Sequence, residues 1–189
     1  MKTRAKHHDI DFSVVPEQDI QPDLDKAIRD ILVACFPADR QYYQRQSWWH
    51  CAAIYRVLGR DRRGSIIAHA AVVERTVNVG RELSKVRVAG VQSFCVSQDY
   101  RGAGLSERMM LRAMTEADER GFDAGLLFCV EALKTVYGRM GWQRIDSDVY
   151  MFDKREGKIS IASKNITMFY PLGKSQFPPG DIDLAGTDW

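Results

Sequence analysis

The chain has 189 residues, 45% hydrophobic and 28% charged, with a formal net charge of +2, which suits one soluble globular domain over residues 1–189. The small net charge and the scatter of basic residues exclude a basic arm and argue against nucleic acid as partner. No apolar run reaches membrane-spanning length and Met1–Phe12 lacks a signal-peptide core, so no membrane partner and a cytoplasmic location are expected.

Ile10 to Val15 reads as a first strand, ended by Pro16. Pro22 then opens a helix, with Asp23 and Asp25 at its positive end. Leu24, Ile28, Ile31, Leu32 and Cys35 share one face at helical spacing, and Pro37 stops the pattern. Asp39 to His50 is polar and aromatic and is predicted as a short helix or loop. Its Trp48 and Trp49 either pack this segment on the core or wall a substrate cleft. Ala52–Leu58, Ser65–Val79 and Ser84–Val96 read as three strands of an antiparallel meander, joined by turns at Asp61–Gly64 and Val79–Arg81. Gly90 inside the last of them predicts a bulge or a close backbone approach.

The stretch from Val91 to Ser106 organises the reading. It is apolar and β-prone through Phe94–Val96, then turns through Arg101, Gly102, Ala103 and Gly104 into Leu105 and Ser106. Leu105, Met109, Ala113 and Ala117 mark the apolar face of the helix that follows, closed by Gly121. A strand feeding a glycine turn that opens a helix is a phosphate site in outline, because the free N–H groups of the first helical turn point at an anion. Gly125–Val130 is a short apolar run, the pattern of a buried and parallel strand. Ala132–Met140 reads as a short helix, and Trp142–Asp153 and Asn165–Leu172 as two more strands. The tail carries Phe177-Pro178-Pro179-Gly180 and reaches Trp189. The whole is an α+β arrangement: a mixed, mostly antiparallel sheet flanked by helices. Cys35, Cys51, Cys95 and Cys129 are too far apart in sequence for a ligand pair and read as reduced core thiols, with no metal site.

This layout resembles the GCN5-related N-acetyltransferases (GNAT). The resemblance rests on Arg-Gly-Ala-Gly-Leu-Ser at 101–106 and on Ala-Leu-Lys-Thr-Val-Tyr-Gly-Arg-Met-Gly-Trp at 132–142. The family's turn reads Gln/Arg-x-x-Gly-x-Gly/Ala; Arg101 and Gly104 match, and Ser106 stands at the last small position. A finer resemblance links Ser65–Val73, Trp48, His50 and the final tryptophan to aminoglycoside 2′-N-acetyltransferases. Arg56–Asp61, Pro171–Ser175 and Pro178–Gly180 are similar to nodulation N-acyltransferases. Both relatives modify an amine on the 2-carbon of an amino sugar.

The resemblance implies a GNAT-type fold and direct transfer of an acetyl group from acetyl-CoA, as co-substrate, to a small-molecule amine. Phe94, Cys95 and Val96 would pair with the pantetheine arm. Arg101, Gly102, Ala103, Gly104, Leu105 and Ser106 would cradle the pyrophosphate. Tyr137 would protonate the leaving thiolate. The base is less defined, because Gln92 occupies the place of the aminoglycoside enzymes' glutamate. Glu131 is the nearest replacement, with His69 and Glu74 as others. Trp48, Gln92, Asp183, Asp188 and Trp189 are the expected acceptor contacts, and a homodimer is implied. Two alternatives stay open: a longer acyl donor, and a CoA-binding sensor without turnover.

Overall fold

The structure is a computed structural model that describes residues 10–161, 165–173 and 176–189. β1 (Asp11–Pro16) leads through a 3-10 turn into α1 (Pro22–Cys35). Pro22 sits at the start of α1 and Asp23 and Asp25 in its first turn, where a fixed φ and negative charge favour initiation. Ile28, Ile31 and Leu32 form its buried stripe. After the short α2 (Arg40–Tyr43) come β2 (Tyr55–Arg60), β3 (Ile66–Val79) and β4 (Ser84–Val96). β1 pairs with β2, so the antiparallel meander has a fourth member at its edge. α3 (Leu105–Glu119) and β5 (Ala124–Cys129) follow, then α4 (Lys134–Arg139).

The single strand expected over Trp142–Asp153 is broken. β6 (Gln143–Ile145) pairs with β9 (Ile166–Pro171), whereas β7 (Val149–Asp153) forms a hairpin with β8 (Gly157–Ser160) elsewhere in the sheet. The polar run Asp146–Asp148 between them has nothing apolar to bury, which permits the chain to change partners there. β10 (Ile182–Asp183), inside the tail, lies antiparallel to β3 and parallel to β7. The strand order is therefore β6-β9-β5-β4-β3-β10-β7-β8, with β2 and β1 continuing from the other half of β3.

Successive residues of the strands bury opposite ways, as a pleat demands. Val57, Val72, Ala89 and Val91 join the cluster under α3, while Leu58 and Cys95 join the cluster under α1. The helices thus cover both faces. Val73, Val88, Leu126, Leu184 and Trp189 form a further core under the tail.

β4 and β5 run parallel in the middle of the sheet, and among the described residues they pair over Val88–Gly90 and Ala124–Leu126. Beyond Gly90 the two strands part. On the other side of β4 the register slips between His69 and Ala71, which face Cys95 and Gln92, so β4 carries an extra residue there. The bulge therefore lies at Ser93, whose φ is +50°, three positions after Gly90. Gly90 is instead the close approach: a Cβ there would stand 2.4 Å from the Trp189 ring.

Candidate active site

A buried polar chain fixes the bulge. Arg56 of β2 is fully buried and gives both Nε and Nη2 to Glu17 at 2.7 Å, while Nη1 donates to the Ser47 carbonyl at 2.7 Å. His69 Nε2 lies 3.3 Å from that Nη1, and His69 Nδ1 lies 2.8 Å from the Ser93 carbonyl. The consistent tautomer has Nδ1–H donating to the carbonyl and Nε2 accepting from Arg56. Burial first, and the Arg56 charge second, pull His69 down to about 3, so it stays neutral. Tyr43 closes the chain from α2, its hydroxyl 3.1 Å from Ser93 Oγ.

Past the bulge, Phe94 turns toward α4 and Cys95 toward α1. Between them opens a cavity of about 290 Å³ lined by Cys35, Phe36, Phe94, Cys95, Val96, Arg101, Ser106 and Tyr137, with Leu133 and Val136 at α4. Five of the residues that the sequence singles out for the cofactor, Phe94, Cys95, Val96, Arg101 and Ser106, share this one space with Tyr137. The Tyr137 ring lies 6.1 Å from Phe94 and 6.3 Å from Trp142. Burial, and secondarily Cys129, push its phenol well above the ordinary range, so it keeps its proton at neutral pH. Phe36 is absent from the sequence reading and Cys35 enters it only as a core thiol; both stand at the end of α1, and only the packing of α1 on β4 brings them here. Contact with Cys95, helped by Arg101, pulls the Cys35 thiol down to about 7.

Above the cavity the chain turns through Gly102 and Gly104, at φ +79° and +72°, with no atom near enough to touch an added Cβ. Gly104 is the N-cap of α3 and no side chain caps the helix. The first-turn N–H groups are therefore open to an outside acceptor, and the helix dipole favours an anionic one. Ala103 is half-buried and Leu105 anchors the turn in the core. Arg101 Nε donates to the Val96 carbonyl at 3.0 Å, tying the turn to the end of β4. An open anion cradle continuous with an apolar cleft fits the pyrophosphate and pantetheine of CoA.

The expected acceptor residues divide. Gln92 precedes the bulge and its amide is occupied: Oε1 accepts from the Trp49 N–H and Nε2 donates to the Cys51 carbonyl at 2.7 Å. Trp189 is 5% exposed, packed against Gly90 and stacked 4.9 Å from Phe128, so it fills the point where β4 and β5 part. Its indole Nε1 is buried without a hydrogen-bond partner among the described residues. Asp188 lies beside it, 2.6 Å from His50 Nδ1. Trp48 is half-buried in the same 47–51 loop. Asp183 is elsewhere, paired to Lys158 at 2.7 Å and to the Ala185 N–H at 2.9 Å. Glu131 is exposed at the end of β5 and held by Arg144 at 3.0 Å. Of the other two base candidates, His69 has both ring nitrogens engaged, and Glu74 accepts from Arg87 at 2.6 Å.

A family model described as an acetyltransferase (GNAT) domain matches residues 19–145. The chain belongs to the GNAT acetyltransferases. Solved GNAT structures share the fold at low identity. Escherichia coli YhbS, determined in complex with CoA, aligns with a TM-score of 0.64 and 16% identity over 93% of this chain and 89% of its own. Escherichia coli ElaA gives 0.61 at 13%, over 85% and 99%. An acyl-CoA N-acyltransferase from Pseudomonas aeruginosa gives 0.60 at 17%, over 85% and 99%. No curated protein sequence matches the chain. As a GNAT acetyltransferase the protein uses acetyl-CoA as co-substrate. Among the described residues no helix is long and apolar enough to cross a membrane.

Proposed function

We propose that this GNAT domain acetylates the amine of an amino sugar, an aminoglycoside with few amino groups being the best fit, at its 2′-amino position. The observation that carries the transfer reading is the shared cavity: the cradle at 101–106, the bulged strand Phe94–Val96 and the neutral phenol of Tyr137 all reach one cleft. The amino-sugar part is supported by the opposite side of the splay. Phe128 and the half-buried Trp48 and Trp49 offer apolar faces for a sugar ring, and Asp188 offers negative charge for an ammonium.

In this reading the 101–106 backbone holds the pyrophosphate and Phe94–Val96 aligns the pantetheine, bringing the thioester beside Tyr137. The amine adds to the acetyl carbon and the C–S bond breaks. Tyr137 gives its proton to the departing sulfur. Acetyl transfer from CoA to kasugamycin, neomycin and glucosamine, followed by thiol release, tests the substrate class. Release with none of them, alongside a response to peptide amines, would overturn the amino-sugar reading. Release with no amine at all, with CoA still bound, would favour a sensor.

A longer acyl donor is favoured by one observation. The cavity near Tyr137 is bordered by Phe36, Leu133 and Val136, the last two 40% and 43% exposed and apolar. A chain-length series of acyl-CoA donors separates the two: acetyl should give the highest kcat/KM if the cavity only seats pantetheine. Light scattering on the purified chain tests the homodimer, and fractionation the cytoplasmic location.

A further inference from the structure

An amine that arrives as ammonium must lose a proton before it can attack, yet the residue before the bulge is the amide Gln92, and both ends of that amide are engaged. What it does is hold a loop. It bonds the N–H of Trp49 and the carbonyl of Cys51, the two residues that flank His50. From this geometry we infer that His50, oriented by Asp188, is the base that takes the proton from the acceptor amine. The inference rests on the acetyl-transfer reading above and names the group that reading lacks.

His50 Nδ1 lies 2.6 Å from Asp188 Oδ1. A carboxylate at that distance accepts the Nδ1–H, which leaves the lone pair on Nε2. Among the described residues Nε2 makes no hydrogen bond, and the side chain is 42% exposed, so that lone pair is available to a ligand. The His50 backbone is held at φ +47°, an unusual position for a residue with a side chain. Several contacts impose it: the two Gln92 bonds, the His50 N–H donating to the Tyr42 hydroxyl at 2.9 Å, and the ring lying over Trp49 with centroids 4.8 Å apart. A strained residue fixed from several sides is a mark of a functional position.

Asp188 is placed as firmly. β10 stitches the tail to β3 and β7. The Leu184 N–H then bonds Tyr150 and the Phe152 N–H bonds Gly186. Arg75 Nη2 donates to the Thr187 carbonyl at 2.8 Å, and Cys51 Sγ sits 3.6 Å from the Asp188 carbonyl. The next residue, Trp189, fills the point where β4 and β5 part. The His50–Asp188 pair therefore stands one residue from Trp189, which packs on Gly90 at the point where β4 and β5 part, beside the bulged strand. Among the described residues the titratable or charged groups packed around it are Asp188, Arg75, Tyr42 and Cys51. The three base candidates in the sequence are all engaged elsewhere: Glu131 with Arg144, Glu74 with Arg87, and His69 with Arg56 and Ser93.

The protons balance. His50 Nε2 takes one proton from the ammonium and releases it to solvent. The nitrogen lone pair forms the N–C bond, the C–S bond breaks, and Tyr137 protonates the sulfur. The second proton lost by nitrogen replaces the one Tyr137 gave. The net products are an amide, the CoA thiol and one proton.

The test is the pH dependence of kcat/KM with acetyl-CoA and kasugamycin, neomycin or glucosamine as acceptor. The wild type should show a limb that rises from acid pH, as general-base catalysis requires. His50→Asn, chosen because asparagine tolerates a positive φ, should lower kcat about 10²–10⁴-fold and abolish that limb. Added imidazole should restore part of the rate, and CoA affinity by calorimetry should hold. Asp188→Asn removes the carboxylate that orients the imidazole, so kcat should fall while CoA affinity holds; this arm needs no change at His50. A His50→Asn chain with wild-type rate and limb, or an unchanged kcat in Asp188→Asn, overturns the base assignment alone. A wild type that binds acetyl-CoA yet releases no thiol with any acceptor overturns the transfer reading, and the base with it.

Discussion

Gly90→Ala adds one methyl group at the place where β4 and β5 part. The new Cβ would lie 2.4 Å from Trp189 Cε2, 2.5 Å from Nε1 and 2.7 Å from Val73 Cγ2. Ordinary contact begins near 3.4 Å, so about 1 Å of movement is required. The backbone cannot supply it, because Gly90 pairs with Val73 on one side and Leu126 on the other. Val73 is itself buried. The indole must yield. A small shift would cost about 1–3 kcal/mol as overpacking, and complete expulsion about 3–5 kcal/mol as lost tryptophan burial. Alanine in place of glycine within a strand returns about 0.5–1 kcal/mol. The expected net loss is about 2–3 kcal/mol, or roughly 5–10 °C in Tm for a chain of this size. Thermal and urea unfolding of Gly90→Ala, Trp189→Ala and the double variant measure it. With the indole gone only the 2.7 Å approach to Val73 Cγ2 remains, so Gly90→Ala should cost clearly less in the Trp189→Ala background. An equal loss in both backgrounds would refute the contact, and with it the seat of Trp189 at the splay.

Three further outcomes are expected. Tyr137→Phe keeps the ring against Phe94 and removes the donor. It should slow turnover by about 10²–10⁴-fold with little change in CoA affinity, and a wild-type kcat would rule out the role. Gly104→Asp sets a carboxylate before the open N–H groups of α3, and calorimetry should show CoA binding lost. Gly104→Asn carries the same backbone strain at φ +72° without the charge, so if it loses as much affinity as the aspartate, strain rather than the anion site explains the result. His69 is neutral in the fold, at about 3, below the ordinary unfolded value of about 6.5. As pH falls below about 6.5 the unfolded chain takes up the proton first, so stability present above that pH should drop by up to about 1.4 kcal/mol per unit toward pH 3. His69→Gln should remove that share of the slope in urea titrations between pH 7 and 5, and an unchanged slope would contradict a buried neutral imidazole.

The local patterns were legible wherever one residue's neighbours in sequence are also its neighbours in space. Pro22 and the stripe Ile28–Leu32 mark α1, the glycine turn marks the start of α3, and the apolar run marks β5. The same logic fails where partners are distant. Gly90 announces a crowded backbone, but nothing local says that the crowding group is Trp189, ninety-nine positions away. Ser93 has no bulge signature of its own, because its positive φ is imposed by His69, Tyr43 and the slipped register. Asp146–Asp148 lies inside the single strand expected over Trp142–Asp153 and is the place where the chain changes partners. His50 lies in a loop with no periodicity, and only the return of the tail reveals its carboxylate.

Ser93 explains why a buried arginine is tolerated in this sheet. A serine at φ +50° costs about 1–3 kcal/mol, and a strand left to itself would remove the bulge by slipping one residue. That slip would turn Phe94 toward α1 and Cys95 toward α4, taking the apolar wall away from Tyr137. Its register is pinned because the Ser93 carbonyl is, among the described residues, the acceptor for His69 Nδ1, and His69 is positioned through Arg56. Arg56 in turn is neutralised by Glu17 from the turn after β1 and braced by the Ser47 carbonyl. Replacing such a buried pair with apolar groups is often neutral for stability, so its presence is better accounted for by position than by energy. It ties β1, the 47–51 loop, β2, β3 and β4 to a single atom of the bulge. The same loop carries His50, so one network positions both the bulged strand proposed to receive the thioester and the loop proposed to meet the amine.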